Sequence, residues 1–299
     1  MNIAVLGVGG VGGLIAALLS RAGDDVTCLG SASTVAVLAE HGLRVQSERF
    51  GAFTAEVAAS ERLDRHVDLC IVAVKATDLG DALERVPPEV LGGALLVPLL
   101  NCVEHVDELR RRYPDAAVAA ASIRVSSSRL SPGEIRHDSP FAAVQLATSA
   151  PTAAVVRQLA AHLSRAGLDV QVGGDDTKVL WDKLAFLAPL ALLTTHTQAP
   201  AGVVREQRRD ALVAVVGEVA AVAAAEGAVQ DEQAVLAYFD SVPASMQSSM
   251  QRDWAAGRPT EIEAIGGAVL RSAARHGVAV PVTSGLVDDL RNGVVLGRG

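Results

Sequence analysis

The run NIAVLGVGGVGGLIAAL, residues 2–18, decides the fold of the N-terminal part of the chain. An apolar segment leads into glycines spaced Gly7-x-Gly9-x-x-Gly12 and then into an Ala/Leu-rich stretch, which predicts a strand, a tight turn and a helix. In such a turn the first glycine permits the sharp bend and the second lets a pyrophosphate approach the backbone. The third lets the helix pack closely on the strand. The N–H groups at the start of the helix would then face the phosphates.

A second apolar run follows at residues 25–30, at the distance that a βαβ unit requires. The alternative is a glycine-rich turn that merely connects two elements, because the chain contains 27 glycines. The position directly after an apolar strand favours dinucleotide binding. The predicted cofactor-binding residues of this turn are Gly7, Val8, Gly9, Gly10, Val11 and Gly12.

Composition limits the class of protein. A chain of 299 residues suggests two domains, because a single core rarely grows past about 250 to 300 residues. The net charge of −8 disfavours a nucleic-acid partner. The three cysteines have no C-x-x-C spacing and the seven histidines have no ligand spacing, so we expect neither a metal site nor a disulfide framework. Apolar runs are too short to span a membrane, and we expect a cytoplasmic protein.

Residues 1–174 alternate short apolar runs with helical stretches, which predicts an α/β, Rossmann-like, doubly wound domain with a mostly parallel sheet. The predicted strands are Ile3–Leu6, Val26–Leu29, Leu69–Val74, Ala94–Leu100, Ala117–Ser122 and Val170–Val172, and a helix is predicted over Ala153–Ala166. Residues 126–146 contain the turn Ser-Pro-Gly-Glu at 131–134, which predicts a hairpin added at the edge of this sheet.

Nearly all of residues 177–291 have helical spacing, which predicts a second, all-helical domain at residues 175–299. The predicted helices are Thr177–Thr195, Val204–Glu226, Gln230–Tyr238, Glu261–His276 and Pro281–Leu290. The second of these is rich in Ala and Val on all sides, as a buried helix would be. The sequence leaves open whether it is buried within the domain or against the second subunit of a homodimer.

Two polar residues follow predicted strands of the first domain, Lys75 and Asn101. Ligands of an open parallel sheet bind outside the carboxyl ends of its strands, so both side chains are expected near a bound cofactor. The alternatives are an ordinary strand-end lysine and a turn asparagine. The chain has only three lysines and otherwise uses arginine, which favours a function for Lys75.

The helical domain contributes two further candidates. Lys183 lies within a strongly apolar helix, and desolvation lowers the pKa of a lysine toward a value that suits a proton donor. Glu261 opens a predicted helix, where the helix dipole alone would also explain a carboxylate. Ser248 and Ser249 lie just upstream, in a polar stretch that by itself predicts a loop.

These residues resemble those of the ketopantoate reductases (2-dehydropantoate 2-reductases) over nearly the whole chain. The motifs that carry the resemblance are, in order, Gly7-x-Gly9-x-x-Gly12, Lys75, Asn101, Trp181-x-Lys183-Leu, and Ser248-Ser-Met-x-x-Asp253 followed by Gly-Arg-Pro-Thr-Glu261-Ile-Glu263. The resemblance implies a Rossmann domain joined to an all-helical domain like the C-terminal domain of 6-phosphogluconate dehydrogenase. It also implies reduction of 2-dehydropantoate by NADPH to D-pantoate, in pantothenate biosynthesis.

The resemblance further implies a role for each residue. Lys183 would protonate the ketone oxygen, and Glu261 would hold Lys183 and the substrate hydroxyl. Ser249 would bind the substrate carboxylate. Asn101 would contact cofactor and substrate in a cleft between the domains, and Lys75 would line the cofactor side. Such an arrangement is chemically suitable, because a fixed cationic donor stabilises the negative charge that hydride transfer builds on oxygen.

The chain departs from the family at the substrate-binding positions where asparagines are usual, which are here Leu187, Ala191 and Met246. Each lost hydrogen bond would weaken the binding of a polar keto acid by about 0.5 to 1.5 kcal/mol. A relative that acts on a more apolar 2-keto acid is therefore an alternative. A protein of another class, a non-catalytic NAD(P)-binding sensor, is disfavoured because a lysine-poor chain keeps both Lys75 and Lys183.

A second departure concerns cofactor choice. At the end of the second strand, where reductases of the family often have an arginine for the 2′-phosphate of NADPH, the chain has Leu29-Gly30-Ser31-Ala32-Ser33-Thr34. No acidic residue for the ribose diol of NADH is present in this stretch either. We therefore expect Ser31 to contact the cofactor and NADPH to be preferred, with NADH not excluded.

Overall fold

The structure is a computed structural model that describes residues 1–149 and 152–296. Its contacts divide the chain into two compact units. Unit 1 contains residues 1–100 and 104–179, and unit 2 contains residues 101–103 and the chain from residue 180 onward. The division falls within a helix, a few residues after the domain boundary predicted at residue 174, and the last three residues of the predicted second domain lie outside the described residues.

All described strands lie in unit 1. They are β1 Asn2–Leu6, β2 Asp25–Leu29, β3 Leu43–Ser47, β4 Gly51–Ala55, β5 Ala58–Ser60, β6 Leu69–Val72, β7 Leu95–Pro98, β8 Ala117–Val118, β9 Ala121–Arg124, β10 Ser127–Ser131, β11 Glu134–His137, β12 Ala143–Leu146 and β13 Asp169–Val172. Its helices are α1 Gly10–Arg21, α2 Ala32–His41, α3 Leu79–Leu83, α4 Pro88–Leu91, α5 His105–Arg112 and α6 Ala153–Arg165, with a 3-10 turn at Ala76–Asp78.

The main sheet of unit 1 has six strands in the order β5-β2-β1-β6-β7-β8, and every neighbouring pair is parallel. The predicted Rossmann-like parallel sheet is therefore confirmed. Residues 14–19 of α1 are almost completely buried, and they form one core with the apolar side chains of β1 and β2. The sheet and this helix together fix the glycine turn between them.

The predicted hairpin exists as β10 and β11, but its predicted place at the edge of the main sheet is wrong. It belongs to a second sheet, in the order β10-β11-β3-β4, in which β11 pairs in parallel with β3. The pair β3–β4 was not predicted from the sequence. Because β3 alternates buried Leu43 and Val45 with polar residues, it offers an apolar face and a free edge on which the hairpin can add.

The predicted single strand Ala117–Ser122 is also wrong, because the chain changes sheets within it. The N–H of Ala119 donates to Leu96 in β7 at 3.0 Å, whereas the carbonyl of Ala120 accepts from Ala147, just after β12, at 2.9 Å. The residues that follow form β9 in a third sheet, in the order β13-β12-β9. Both alanines are buried, and their small side chains leave room for this close passage.

The described part of unit 2 contains helices and no strand. Helix α7, Asp176–Thr197, enters it at residue 180, and the others are α8 Ala201–Gln207, α9 Arg209–Ala225, α10 Glu232–Ser241, α11 Ser249–Ala255, α12 Ala268–His276 and α13 Pro281–Arg291, with a π-helical segment at Glu263–Gly267. The predicted mostly helical C-terminal domain is confirmed. Within residues 1–149 and 152–296, no helix has the length and the apolar character needed to cross a membrane.

Helices α8 and α9 correct the prediction of one helix over Val204–Glu226. The backbone breaks at Arg208, which has a φ of −132°. Arg205 donates to the carbonyls of Asp240 and Val242 at 2.6 and 2.8 Å and so fixes α8 against the end of α10. Helix α9 instead buries its apolar side chains in the core of unit 2. The chain therefore turns between two separate packing partners.

Candidate active site

The glycine turn of unit 1 has the geometry that its spacing predicts. Gly7 has a φ of +95°, and a Cβ there would lie 2.6 Å from Cγ1 of Val74. A Cβ on Gly12 would overlap the carbonyl oxygen of Gly7. Neither position accepts a side chain, because the first requires a left-handed backbone and the second a close approach of helix to turn.

Gly9 differs from these two glycines, because a Cβ placed on it would meet no atom within 4 Å. Glycine at this position therefore leaves open space directly above the backbone. Helix α1 starts at the next residue and presents its first N–H groups at the same turn. Open space beside a helix N-terminus fits the pyrophosphate of a dinucleotide. The side chain of Val8 is buried in the core. Contact of its backbone with a cofactor stays a prediction.

Gly10 and Gly13 are required for a packing reason that the sequence did not reveal. A Cβ on Gly10 would overlap the carbonyl oxygen of Ser127, and one on Gly13 would lie 2.6 Å from Cδ1 of Ile135. The Ser127 hydroxyl donates to the carbonyl of Gly10 at 2.8 Å. The hairpin β10–β11 thus packs directly on the first turn of α1 and holds it in place.

Ser31, predicted to contact the cofactor, caps α2 by accepting from the N–H of Thr34 at 3.4 Å. Its hydroxyl lies 3.1 Å from that of Ser33, and both side chains are exposed. Lys75 follows β6, and its carbonyl accepts from the N–H of Asp78 in the adjoining 3-10 turn at 3.0 Å. Lys75 itself is half-buried.

Sequence reasoning missed β5 and the residues after it. The N–H of Gly30 donates to the carbonyl of Ser60 at 3.1 Å, so the ends of β2 and β5 lie side by side. Arg62, which is exposed, follows two residues later. A three-residue strand carries no periodic signal, and only the pairing with β2 brings Arg62 beside the carboxyl end of β2.

Unit 2 brings Asn101, Lys183 and Glu261 together. Nζ of Lys183 donates to Oδ1 of Asn101 at 2.7 Å, and Nδ2 of Asn101 donates to Oε2 of Glu261 at 3.0 Å. Only one orientation of the amide satisfies both neighbours, because an ammonium has no acceptor and a carboxylate has no donor. The amide therefore links the positive and negative side chains in a defined order.

The surrounding structure fixes these three side chains. Trp181 and Leu184 flank Lys183 on α7 and are 2 % exposed, so they anchor the helix in the core and leave Lys183 half-buried. Glu261 is 6 % exposed and stands two residues before the π-helical segment Glu263–Gly267. Such π-helical insertions are frequent at functional sites. The backbone carbonyl of Glu261 accepts from the N–H of Ile265 at 3.0 Å.

Ser249 is exposed, and it is the first residue of α11. The prediction of a loop at Ser248–Ser249 is therefore wrong, because Ser248 caps a helix by accepting from the N–H of Gln251 at 3.0 Å. A polar stretch with a capping serine can begin a helix that composition alone does not reveal.

The three residues predicted to stand where the family has asparagines lie in unit 2 as well. Leu187 and Met246 are half-buried and pack against its core. Ala191 is 0 % exposed, so its side chain contacts only protein in this structure. Contact of these residues with a substrate stays a prediction. Among the described residues, no group of three or more His, Cys, Asp or Glu side chains could hold a metal ion.

Comparison with known proteins places the chain in a family. The profile of ketopantoate reductase PanE/ApbA matches residues 3–151, and that of its C-terminal part matches residues 177–293. A 2-dehydropantoate 2-reductase of Mycobacterium tuberculosis is 31% identical, over 96% of this chain and 95% of the relative. A crystal structure of a PanE/ApbA family ketopantoate reductase from Ralstonia eutropha is 29% identical with a TM-score of 0.88, over 98% of both chains.

A further structural relative is D-mandelate dehydrogenase in complex with NADH, with 25% identity and a TM-score of 0.88 over 98% of both chains. A parallel sheet with an open glycine turn, combined with a helical unit that carries a lysine linked to a carboxylate, defines an oxidoreductase that uses a nicotinamide cofactor. More particularly, the chain belongs to the ketopantoate reductase family.

Proposed function

We propose that this protein reduces 2-dehydropantoate to D-pantoate with NADPH, in the cytoplasm and as part of pantothenate biosynthesis. The observation that carries the proposal is the linked arrangement of Lys183, Asn101 and Glu261. A half-buried ammonium held by an amide, with a buried carboxylate on the other side of that amide, is suited to give a proton to a carbonyl oxygen.

The bound cofactor supplies the hydride that adds to the carbonyl carbon. Lys183 donates a hydrogen bond to the ketone oxygen and transfers a proton to it as negative charge develops there. Asn101 holds the ammonium in one direction, so Lys183 need not reorganise during the reaction. The carboxylate of Glu261 balances the positive charge before the transfer. Ser249 binds the carboxylate of the substrate.

The pyrophosphate of the cofactor is assigned to the backbone of residues 7–12, where Gly9 leaves open space. Ser31 and Lys75 are assigned to the ribose and phosphate groups beyond it. Support for NADPH over NADH comes from Arg62, an exposed cation that follows β5 beside the end of β2. A guanidinium suits recognition of a phosphate, and it would supply the charge that is missing from the stretch around Ser31.

A second candidate function is reduction of a more apolar 2-keto acid. It is favoured by Leu187 and Met246, which present no hydrogen-bonding side chain for a substrate hydroxyl and pack against an apolar core. One structural relative is named for D-mandelate, an aromatic 2-hydroxy acid. Apolar side chains in a pocket discriminate between substrates through buried area rather than through hydrogen bonds.

One experiment distinguishes these functions. NADPH and NADH are first titrated by fluorescence, and steady-state oxidation is then followed with 2-dehydropantoate and with 2-keto acids that bear branched aliphatic or aromatic groups. The proposal predicts the highest kcat/KM with 2-dehydropantoate. A clear preference for the apolar acids would support the second candidate. Cofactor binding without turnover of any 2-keto acid would contradict both and favour the non-catalytic sensor.

A further inference from the structure

We propose that Thr194 is a positioning residue for the substrate carboxylate, because through Ser248 it holds the backbone that carries Ser249. This inference rests on the proposed function, in which Ser249 binds the carboxylate of a 2-keto acid. Thr194 lies on α7, the same helix that carries Lys183, and is 0 % exposed. It does not reach the substrate itself.

A chain of buried hydrogen bonds connects Thr194 to the start of α11. Oγ1 of Thr194 donates to the carbonyl of Leu190 at 2.7 Å and lies 2.9 Å from Oγ of Ser248. Oγ of Ser248 accepts from the N–H of Gln251 at 3.0 Å. Ser248 is 3 % exposed, so solvent does not compete for these bonds.

The donor and the acceptor of each hydrogen bond in this series follow from the groups at its two ends. The carbonyl of Leu190 only accepts, so the single hydroxyl proton of Thr194 is used there. Ser248 must therefore donate its own proton to Oγ1 of Thr194 while it accepts from Gln251. Each hydroxyl has one donor and one acceptor role filled, and neither can rotate without leaving a buried group unpaired.

This series of hydrogen bonds determines where Ser249 lies. Ser249 directly follows Ser248, is exposed, and is the first residue of α11. Because Ser248 is fixed to α7, and Lys183 also lies on α7, the side chain of Ser249 keeps a constant position relative to Lys183. The carboxylate and the ketone oxygen of a 2-keto acid are separated by a fixed distance, so the two groups that bind them must also be held at a fixed separation.

The neighbouring residue provides a matched control. Thr195 is also on α7 and 0 % exposed, but its Oγ1 has no hydrogen-bond partner among the described residues. Replacement by valine keeps the shape of threonine and removes only the hydroxyl. Thr194→Val therefore breaks the chain to Ser248, whereas Thr195→Val removes a hydroxyl that takes no part in it.

The test compares Thr194→Val, Thr194→Ser, Thr195→Val and Ser249→Ala by KM and kcat for 2-dehydropantoate, and by the dissociation constant of NADPH. For Thr194→Val we expect KM to rise about tenfold, because the hydrogen bond from Ser249 to the charged substrate carboxylate would be lost. Ser249→Ala should show a similar rise. The value of kcat should change much less, because a carboxylate contact is made equally in the ground and transition states.

Thr194→Ser keeps a hydroxyl at this position and should have the KM of the wild type. Thr195→Val should also have the KM of the wild type, and all four variants should bind NADPH with wild-type affinity. If Thr194→Val does not fold, Ser248→Ala takes its place with the same expected rise in KM. Equal KM values in Thr194→Val and Thr195→Val would overturn the inference and leave the proposed function intact. A wild type that binds NADPH but turns over no 2-keto acid would overturn the proposed function, and this inference with it.

Discussion

Nζ of Lys183 and Oδ1 of Asn101 lie 2.7 Å apart, although 82 positions separate the two residues in the chain. The same amide donates to the carboxylate of Glu261 at 3.0 Å. Asn101 therefore has a role that strand-end position alone does not suggest, which is to orient an ammonium. The amide therefore lies between two side chains of opposite charge and hydrogen-bonds to both.

Removal of the charge of Glu261 should slow the reaction. Glu261→Gln retains an oxygen that can accept from Asn101 but no longer balances the ammonium of Lys183. We expect kcat/KM for the 2-keto acid to fall about 100-fold, a typical effect of disturbing a proton donor. The matched control is Glu263→Gln. The pKa of Glu263 is lowered mainly by its hydrogen bond from Arg291, on the exposed side of the same segment. Glu263→Gln should retain the kcat/KM of the wild type. A similar loss of kcat/KM in both variants would contradict the role assigned to Glu261.

Two glycines of the turn should respond differently to alanine. Gly9→Ala should leave the melting temperature nearly unchanged, because a Cβ meets no atom within 4 Å, and should weaken NADPH binding about tenfold or more by filling the space for the pyrophosphate. Gly12→Ala should destabilise the fold by about 1 to 3 kcal/mol, because its Cβ overlaps the carbonyl of Gly7. Thermal unfolding and fluorescence titration measure the two effects. Unchanged cofactor affinity in Gly9→Ala would exclude this turn as the pyrophosphate site.

Cofactor preference should depend on Arg62. If its guanidinium binds the 2′-phosphate, Arg62→Ala raises the dissociation constant of NADPH about tenfold and leaves that of NADH unchanged. Arg65 is a suitable control, because its guanidinium is paired with Asp25 and Thr27 at 3.1 and 2.7 Å. An equal change for both cofactors, or the same change in Arg65→Ala, would refute a specific role of Arg62.

Acid should remove a stabilising contribution of Glu226. Burial raises the pKa of its carboxyl, but hydrogen bonds from Ser272 and Arg275 outweigh this, so the pKa lies below its ordinary value of 4.5. A lowered pKa in the folded state stabilises the protein above the unfolded-state pKa, and the contribution is lost as the pH falls through the folded-state value.

Glu226→Gln should therefore reduce the free energy of unfolding by about 1 to 2 kcal/mol at pH 7, and the difference from the wild type should shrink as the pH falls through the lowered pKa of Glu226. Denaturant unfolding at several pH values measures it, with Glu206→Gln, at an exposed position on α8, as the control. A difference that is constant from pH 7 to pH 3 would contradict the ionic origin of the effect.

Local sequence patterns predicted the glycine turn, strands β1, β2, β6 and β7, and helices α7 and α13, because these depend on periodicity and on glycine spacing over a few residues. Strands β3 and β4 were missed because they are short and half-exposed, and they form only through pairing with each other and with the hairpin. The break at Arg208 was missed for a similar reason. It depends on Arg205 reaching carbonyls more than 30 positions away, which no local window contains.

Strand-end position and an apolar helix made Asn101 and Lys183 candidates, but their individual roles came from the family resemblance, since no spacing relates Asn101 to Lys183 or Glu261. What the resemblance could not supply is the support of these residues. Arg62 lies beside the carboxyl end of β2 only through the unpredicted strand β5. The contact between the hydroxyls of Thr194 and Ser248, on which the role proposed for Thr194 depends, joins residues 54 positions apart.

The most direct test of the account is the rate of NADPH oxidation with 2-dehydropantoate by Lys183→Ala, compared with Lys178→Ala, an exposed lysine on the same helix. We expect Lys183→Ala to bind NADPH with unchanged affinity and to lose at least about 1000-fold in kcat, because the donor that stabilises the developing alkoxide is gone. Lys178→Ala should turn over like the wild type. Near-normal turnover by Lys183→Ala would contradict the central claim that Lys183 supplies the proton.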